Sequence, residues 1–256
     1  MKNLFLSLIF FVGTSETSQT LSTGAAINIA GKQTTIPQRT GGAYPVIGAA
    51  VNIEDASRKL DESSSFFNET LRKLETFSEN KETTGATNFT AVLLAKLRRN
   101  LSATPTIENS KKIIADANNL TTACNIVSER IVSTSGVQSA TLTNICDTQR
   151  LFIQKITVYY MPLFWEVSYK NLTKEINDAT TNYEIGLTAL SNSPQNNDGI
   201  NKIMKFQQSE WQFFKKTFDL KEEKMSSASI FGCTNLIWKE FKETPAMCEK
   251  LVIAST

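Results

Sequence analysis

The chain has 256 residues, a formal net charge of +2 and no histidine. The nearly balanced charge, without a long run of one sign, gives no reason to expect nucleic acid as a partner. The absence of histidine excludes Ser-His-Asp and Cys-His catalysis and every histidine-ligated zinc site. The length suffices for one large domain or two small domains with a hydrophobic core.

The first residues have the pattern of a secretory signal. Lys2 precedes an apolar run from Leu4 to Val12, and the small residues Gly13 and Ser15 follow it. The run is too short for a helix that crosses a bilayer, which takes about 20 apolar residues. Its order of charged, apolar and small residues is typical of a signal peptide. We therefore predict that residues 1–15 are a secretory signal peptide and that the mature protein is secreted and extracellular.

The next segment, residues 16–45, is rich in Thr, Ser and Gly and has few large apolar side chains. It shows no helical periodicity. This composition is typical of chain that cannot bury enough apolar surface to fold. We predict a flexible segment that precedes a folded domain over residues 46–256.

Apolar residues from position 46 onward recur at spacings of three and four, which is typical of amphipathic helices. The clearest stripe is Ile53, Ala56, Leu60, Ser63, Phe67, Thr70, Leu74 and Phe77, in which Ser63 and Thr70 are polar exceptions. Similar stripes begin near Phe89, Ile113, Leu142, Leu172, Ile200 and Ile230. Strand signals are weak throughout. The predicted fold class is therefore all-α, a bundle of about six amphipathic helices with coiled-coil-like packing.

Two glutamines, Gln149 and Gln207, occupy core positions of their stripes. A buried amide can fix the register of packed helices through a hydrogen bond. The alternative is that each glutamine marks a place where its stripe reaches solvent.

The four cysteines predict a disulfide-stapled bundle, because an even number of cysteines in a secreted chain favours disulfides. A turn is predicted around Ser135, and Cys124 lies 11 residues before it and Cys146 lies 11 residues after it. An antiparallel pair of helices turning there would bring these two cysteines to the same height. We therefore predict the disulfides Cys124–Cys146 and Cys233–Cys248.

The chain also contains acceptor tripeptides for N-glycosylation. They place the acceptor asparagines at Asn68, Asn88, Asn100, Asn119 and Asn171. One such tripeptide is weak support, but together with the signal pattern these sites predict a glycoprotein.

An aromatic segment surrounds Pro162, a residue expected to bend or end its helix. Its candidate ligand-contact residues are Tyr159, Tyr160, Pro162, Phe164, Trp165 and Tyr169. One interpretation is a ligand pocket or lipid-contacting patch opened by the proline. The favoured interpretation is a central helix covered on several sides, because helices that are apolar all round are usually buried.

These patterns favour a binding protein over an enzyme. No phosphate-binding glycine loop, C-x-x-C pair or other catalytic or metal-binding motif occurs, so no cofactor is predicted. The expected function is a secreted, glycosylated helical protein that binds another protein or a surface. The alternative is an extracellular carrier or membrane-active protein that contacts lipid or an apolar ligand around Pro162. A hydrolase built on two carboxylates is the weakest hypothesis.

Overall fold

The computed structural model describes residues 21–50, 52–77, 81–136, 140–164 and 171–217, together with positions 230, 232–234 and 236–237. Seven helices follow one another in this part of the chain: α1 (Thr23–Gly48), α2 (Ile53–Phe77), α3 (Lys81–Leu101), α4 (Ile107–Ser135), α5 (Ala140–Phe164), α6 (Leu172–Ser191) and α7 (Asp198–Thr217). The described positions from 230 to 237 are helical as well, and no strand occurs among the residues above. The all-α class is confirmed.

Helix α1 shows that the prediction of a flexible segment is wrong for residues 23–45, whereas residues 16–20 of that predicted segment lie outside the described residues. The helix begins at a Ser22 cap, whose hydroxyl oxygen accepts a hydrogen bond from the Ala25 N–H at 3.2 Å. It continues through Pro37 and Pro45, and most of its side chains are buried. Composition alone misled the prediction, because this helix is buried through small side chains instead of large apolar ones.

Glycines allow α1 to approach its neighbours closely. A Cβ atom at Gly41 would lie 2.9 Å from the Cβ of Ala117 on α4. A Cβ atom at Gly31 would lie only 2.0 Å from Asp147 Oδ2 on α5. Both neighbouring helices therefore pack against the backbone of α1, and Gly31 in particular has no room for a side chain.

Two buried amide side chains of α1 donate hydrogen bonds to other helices. Gln33 Nε2 donates to Thr70 Oγ1 of α2 at 3.0 Å. Gln38 Nε2 donates to Thr121 Oγ1 of α4 at 3.0 Å. Such bonds offset the cost of removing amides and hydroxyls from water. They also explain why Thr70, a polar exception in its stripe, is buried.

Helix α1 joins two parts of the bundle. It packs against α2, α4 and α5, whereas α5 packs in turn against α6 and α6 against α7. One core cluster is formed by α1 to α4 and contains Phe67 and Leu120, and a second one is formed by α5 to α7 and contains Ile153 and Trp211. The predicted stripe of α4 is confirmed, since Ile113, Ala117, Leu120, Cys124, Val127 and Ile131 are all buried.

The predicted Cys124–Cys146 disulfide is wrong. Cys124 is a free, buried thiol in the cluster of α1 to α4, and Cys146 lies in the cluster of α5 to α7. The predicted turn is present, because α4 ends at Gly136 in the left-handed conformation (φ 65°). However, α4 and α5 pack mainly against α1 and only slightly against each other, so they do not form the assumed hairpin.

The second predicted disulfide, Cys233–Cys248, also finds no support. Cys233 is a free thiol, and Cys248 lies outside the described residues. The signal peptide predicted over residues 1–15 lies outside them as well.

The two stripe glutamines are buried, at 1% exposure for Gln149 and 0% for Gln207. Gln207 Oε1 accepts a hydrogen bond from the Tyr183 hydroxyl at 3.3 Å, between α7 and α6. The Gln149 amide lies against the backbone of α6, since a Cβ atom at Gly186 would be 1.8 Å from Gln149 Nε2. Neither glutamine marks a place where its stripe reaches solvent.

Candidate functional site

A cleft of about 830 Å³ opens between α1, α2 and α5, and we call it the α1–α2–α5 cleft. Its volume lies within the range of about 300–1,000 Å³ that is usual for small-molecule sites. It is lined by Lys32, Ile36, Arg39, Arg58, Asp61, Glu62, Ser63, Ser65, Phe66, Glu69 and Arg150.

The wall formed by α1 and α5 is positively charged. Lys32 and Arg39 are the two charged residues of α1, and they lie seven residues apart with Ile36 between them. This spacing places all three on one face of the helix. Arg150 adds a third cation from α5. No acidic residue of α1 or α5 lines the cleft.

The wall formed by α2 carries the acidic groups Asp61, Glu62 and Glu69 together with Arg58. Glu62 accepts a hydrogen bond from Arg58 Nη1 at 2.7 Å, and its other oxygen lies 3.3 Å from Arg39 Nη2. Ion pairs as exposed as these contribute only about 0–1 kcal/mol to stability. Their main effect is to fix the side chains at the rim, where Arg39 of α1 and Arg58 of α2 both contact Glu62.

A buried ion pair lies beneath the positive wall. Arg150 Nη1 donates to Asp147 Oδ1 at 3.3 Å, and the side chains of both residues are at most 3% exposed. Asp147 Oδ2 accepts no hydrogen bond from the described residues and lies against Gly31. Burial raises the pKa of Asp147 to about 7, although the positive charges of Arg150 and Lys32 act in the opposite direction. The charge beneath the cleft is therefore set by a carboxyl group that titrates near neutral pH.

Ser63 contributes a buried hydroxyl to the cleft. The residue is 1% exposed, and its Oγ atom has no hydrogen-bond partner in the described part of the chain. Its counterpart two turns later, Thr70, is satisfied by Gln33. A buried polar group without a partner costs about 1–3 kcal/mol. A ligand that accepts a hydrogen bond from Ser63 would remove that cost.

Of the predicted aromatic contact residues, Tyr159 and Tyr160 have described side chains, and these two do not line the cleft. Tyr159 and Tyr160 are each 2% exposed and pack in the core with Ile114 and Ile176. The Tyr159 hydroxyl also donates to Asn118 Oδ1 at 3.1 Å.

The structure describes only part of the remaining aromatic segment. The backbone of α5 includes Pro162 and Phe164, so the helix continues past the proline, but their side chains lie outside the described part of the structure. Trp165 and Tyr169 lie outside it entirely.

The predicted glycosylation sites differ in accessibility. Asn88, Asn119 and Asn171 are exposed, whereas Asn68 and Asn100 are half-buried. Asn100 differs from the other four sites. A glycan would be attached to its Nδ2 atom, and this atom donates a hydrogen bond to Oδ2 of the buried Asp116 at 2.5 Å.

A second, shallower groove lies between α3 and α4. It has a volume of about 410 Å³, and its apolar lining includes Phe89 and Ile126. Phe89 and Val92 are among the most exposed large apolar side chains of the described residues, at 56% and 65%.

The described residues contain no group of three or more Cys, Asp and Glu side chains that could hold a metal ion. None of the described helices is long and apolar enough to cross a membrane. The described residues thus form an all-α bundle with a charged, partly apolar cleft. No protein family model, curated protein or solved structure matches the chain.

The sequence analysis missed this site because it assigned α1 to a flexible segment. The sequence nevertheless contains two features that indicate this site. Two basic residues, Lys32 and Arg39, lie seven residues apart in a stretch of sequence that contains no other charged residue. Ser63 is a polar exception in the predicted apolar stripe of α2. A polar residue on a core-facing side of a helix is a recognised sign of a functional contact.

Proposed function

We propose that this protein acts by binding a small organic molecule in the α1–α2–α5 cleft, without catalysing a reaction on it. The observation that carries the proposal is the composition of the cleft. Apolar surface from Ile36 and Phe66, charged groups from three helices and the unpartnered Ser63 hydroxyl converge on one concave surface. A mainly apolar wall with a few convergent polar groups is typical of ligand sites.

The carboxylates of the cleft favour binding over catalysis. Glu69 accepts a hydrogen bond from Lys73 at 2.6 Å, and this contact lowers its pKa. A general acid needs a raised pKa. Asp147 has a raised pKa, but it is buried and does not line the cleft. Glu69 therefore suits the positioning of a ligand better than proton transfer.

Secretion and glycosylation stay predictions. They rest on the pattern of residues 1–15 and on the acceptor asparagines, of which Asn88, Asn119 and Asn171 are exposed. The cysteines no longer support them, because Cys124 is a free thiol.

A protein partner also stays a prediction, and the exposed Phe89 and Val92 on α3 are the described surface that favours it. The alternative function is a carrier that binds its ligand through the aromatic segment. Two of the predicted ligand-contact residues, Tyr159 and Tyr160, are buried in the core and do not support it. Apolar ligands are therefore assigned to the α1–α2–α5 cleft in our proposal.

The test compares two fluorescent dyes with the same aromatic body, the anionic anilinonaphthalene sulfonate and the neutral phenylnaphthylamine. We expect at least one dye to bind the wild type with one-to-one stoichiometry. The substitution Ser65→Trp places a large ring at an exposed position that lines the cleft and should abolish binding. Ser209→Trp is the matched control, because Ser209 is an exposed helical serine outside the cleft. Binding that survives Ser65→Trp would contradict the proposal.

A further inference from the structure

We propose that the ligand of the α1–α2–α5 cleft is an amphipathic organic anion, with its charged group bound by Lys32, Arg39 and Arg150 and its apolar part lying on Ile36 and Phe66. This inference rests on the proposed function and specifies the chemical class of the ligand.

The first argument is the separation of charge across the cleft. Lys32 and Arg39 of α1 and Arg150 of α5 form one wall, and every acidic lining residue belongs to α2. Two of these cations are paired, Arg39 with Glu62 across the cleft at 3.3 Å and Arg150 with the buried Asp147 at 3.3 Å, but no acidic residue of α1 or α5 is found among the described residues that line this wall. A negative group therefore meets cations when it lies on the α1–α5 side. An Arg side chain can hold a carboxylate, sulfate or phosphate with two parallel hydrogen bonds.

The second argument is the apolar surface between the charges. Ile36 lies between Lys32 and Arg39 on the same face of α1, and Phe66 faces the cleft from α2. An inorganic anion would leave uncovered the apolar atoms of the half-buried Phe66 and the small accessible part of Ile36, which is 4% exposed. A ligand with an apolar body covers them while its charged group reaches the cations.

The third argument is the Ser63 hydroxyl, which is buried, lines the cleft and lacks a partner among the described residues. A hydroxyl group can donate one hydrogen bond, and an anionic oxygen is the strongest acceptor for it. The hydroxyl thus adds a donor to a site that already carries three cations.

The cleft shape favours an individual ligand over a flat anionic surface. Four cations line a concavity of about 830 Å³, three of them on the α1–α5 wall, and they form a local site, whereas the chain as a whole has a formal charge of only +2. Binding to an anionic membrane depends instead on a basic surface patch. The ligand could be free in solution or could be a lipid taken from a bilayer, and the experiment separates these sources.

The decisive experiment measures the Kd of the two dyes for three proteins. We expect the wild type to bind the sulfonate dye at least about tenfold more tightly than the neutral dye, because a charge-assisted hydrogen bond is worth about that factor. Lys32→Gln should weaken sulfonate binding by about tenfold and leave the neutral dye unchanged. Lys205→Gln should change neither value, because Lys205 is an exposed lysine of α7 that does not line the cleft.

Asp61→Asn provides a variant with the opposite expected effect. It removes an exposed acidic group from the cleft and should tighten sulfonate binding without affecting the fold. Near-UV circular dichroism and one-to-one stoichiometry exclude the nonspecific dye binding of a loosened core.

The outcomes distinguish the inference from the proposed function. Equal affinity for both dyes, with no effect of Lys32→Gln, would overturn the anionic ligand while leaving the cleft as a binding site. Sulfonate binding that survives Ser65→Trp would overturn both. Vesicles of phosphatidylserine and phosphatidylcholine separate the ligand sources. Displacement of the bound sulfonate dye by these vesicles would assign a membrane lipid, and displacement by soluble decanoate alone would assign a free amphipathic anion.

Discussion

The carboxyl group of Asp147 is buried, so its ionised form is poorly solvated. One oxygen, Oδ1, lies 3.3 Å from the Arg150 guanidinium, and the other packs against the Gly31 backbone without a hydrogen bond from the described residues. The folded state therefore favours the protonated acid, and the pKa of Asp147 rises from its ordinary value of 3.8 to about 7. Lys32 and Arg150 are the charged groups that face it.

The raised pKa of Asp147 predicts a pH dependence of stability. Between about pH 4 and pH 7 the folded protein binds this proton more tightly than the unfolded chain does, so its contribution to stability falls as the pH rises. A shift of about three pKa units corresponds to about 4 kcal/mol. We expect the free energy of unfolding of the wild type, relative to Asp147→Asn, to fall between about pH 4 and pH 7. Urea titrations of both proteins at a series of pH values measure this difference.

A constant difference between the wild type and Asp147→Asn across that pH range would contradict the raised pKa. The comparison with the asparagine variant removes the contributions of all other titrating groups, because they are common to both proteins.

Gly31 is the position where α1 and α5 approach most tightly. Gly31→Ala places a Cβ atom where Asp147 Oδ2 lies, at a separation of 2.0 Å, so the helices must move apart. We expect this variant to lose about 1–3 kcal/mol of stability, the usual range for overpacking. Gly85→Ala is the matched control, because a Cβ atom at Gly85 of α3 meets nothing within 4 Å. It should gain up to about 1 kcal/mol from helix propensity. Thermal denaturation measures both, and equal effects would refute the close approach.

At the scale of elements, the burial of helix α1 can be tested by hydrogen exchange. Backbone amides of a buried helix exchange with solvent only when the helix opens, whereas those of a flexible tail exchange at once. We expect the amides between Ala26 and Val46 to be protected to a degree similar to those of α4, apart from the two prolines. Hydrogen exchange followed by mass spectrometry provides the measurement, and complete exchange of this segment within seconds would contradict the helix.

The elements that could be predicted from sequence are those with large apolar residues at helical spacing. The stripe of α4 matches the buried residues, and that of α2 matches them in its middle part, because Phe67, Leu74 and Leu120 are identifiable by type alone. The first residue of the α2 stripe, Ile53, is exposed. Helix α1 could not be predicted in this way, since its burial depends on Gly31 and Gly41, which fit only the particular neighbours that the folded chain supplies. The cleft was missed for the same reason, because α1 forms one of its walls.

At the scale of the whole molecule, the structure holds its two core clusters together by packing and without the predicted disulfide. Cys124 is buried, and burial raises the pKa of its thiol, so the native thiol is poorly reactive. We expect the urea midpoint to be the same with and without a reducing agent. A native disulfide closing a loop of this size would contribute about 3 kcal/mol.

A clear drop of the midpoint on reduction would show that a disulfide stabilises the protein. Alkylation without reductant gives an independent check. The peptide that contains Cys124 should be modified in urea but remain unmodified in the native protein.

The position of α1 also sets an order of events during synthesis on the ribosome. This helix is the first of the described helices to be translated, yet its contacts with α5, such as Gly31 with Asp147, involve residues that emerge roughly 100 residues later. At about 5–20 residues per second, the interval is about 5–20 s. During that time the glycine-rich surface of α1 has only α2 and then α4 to pack against. The nascent chain can complete its core only after α5 has left the exit tunnel.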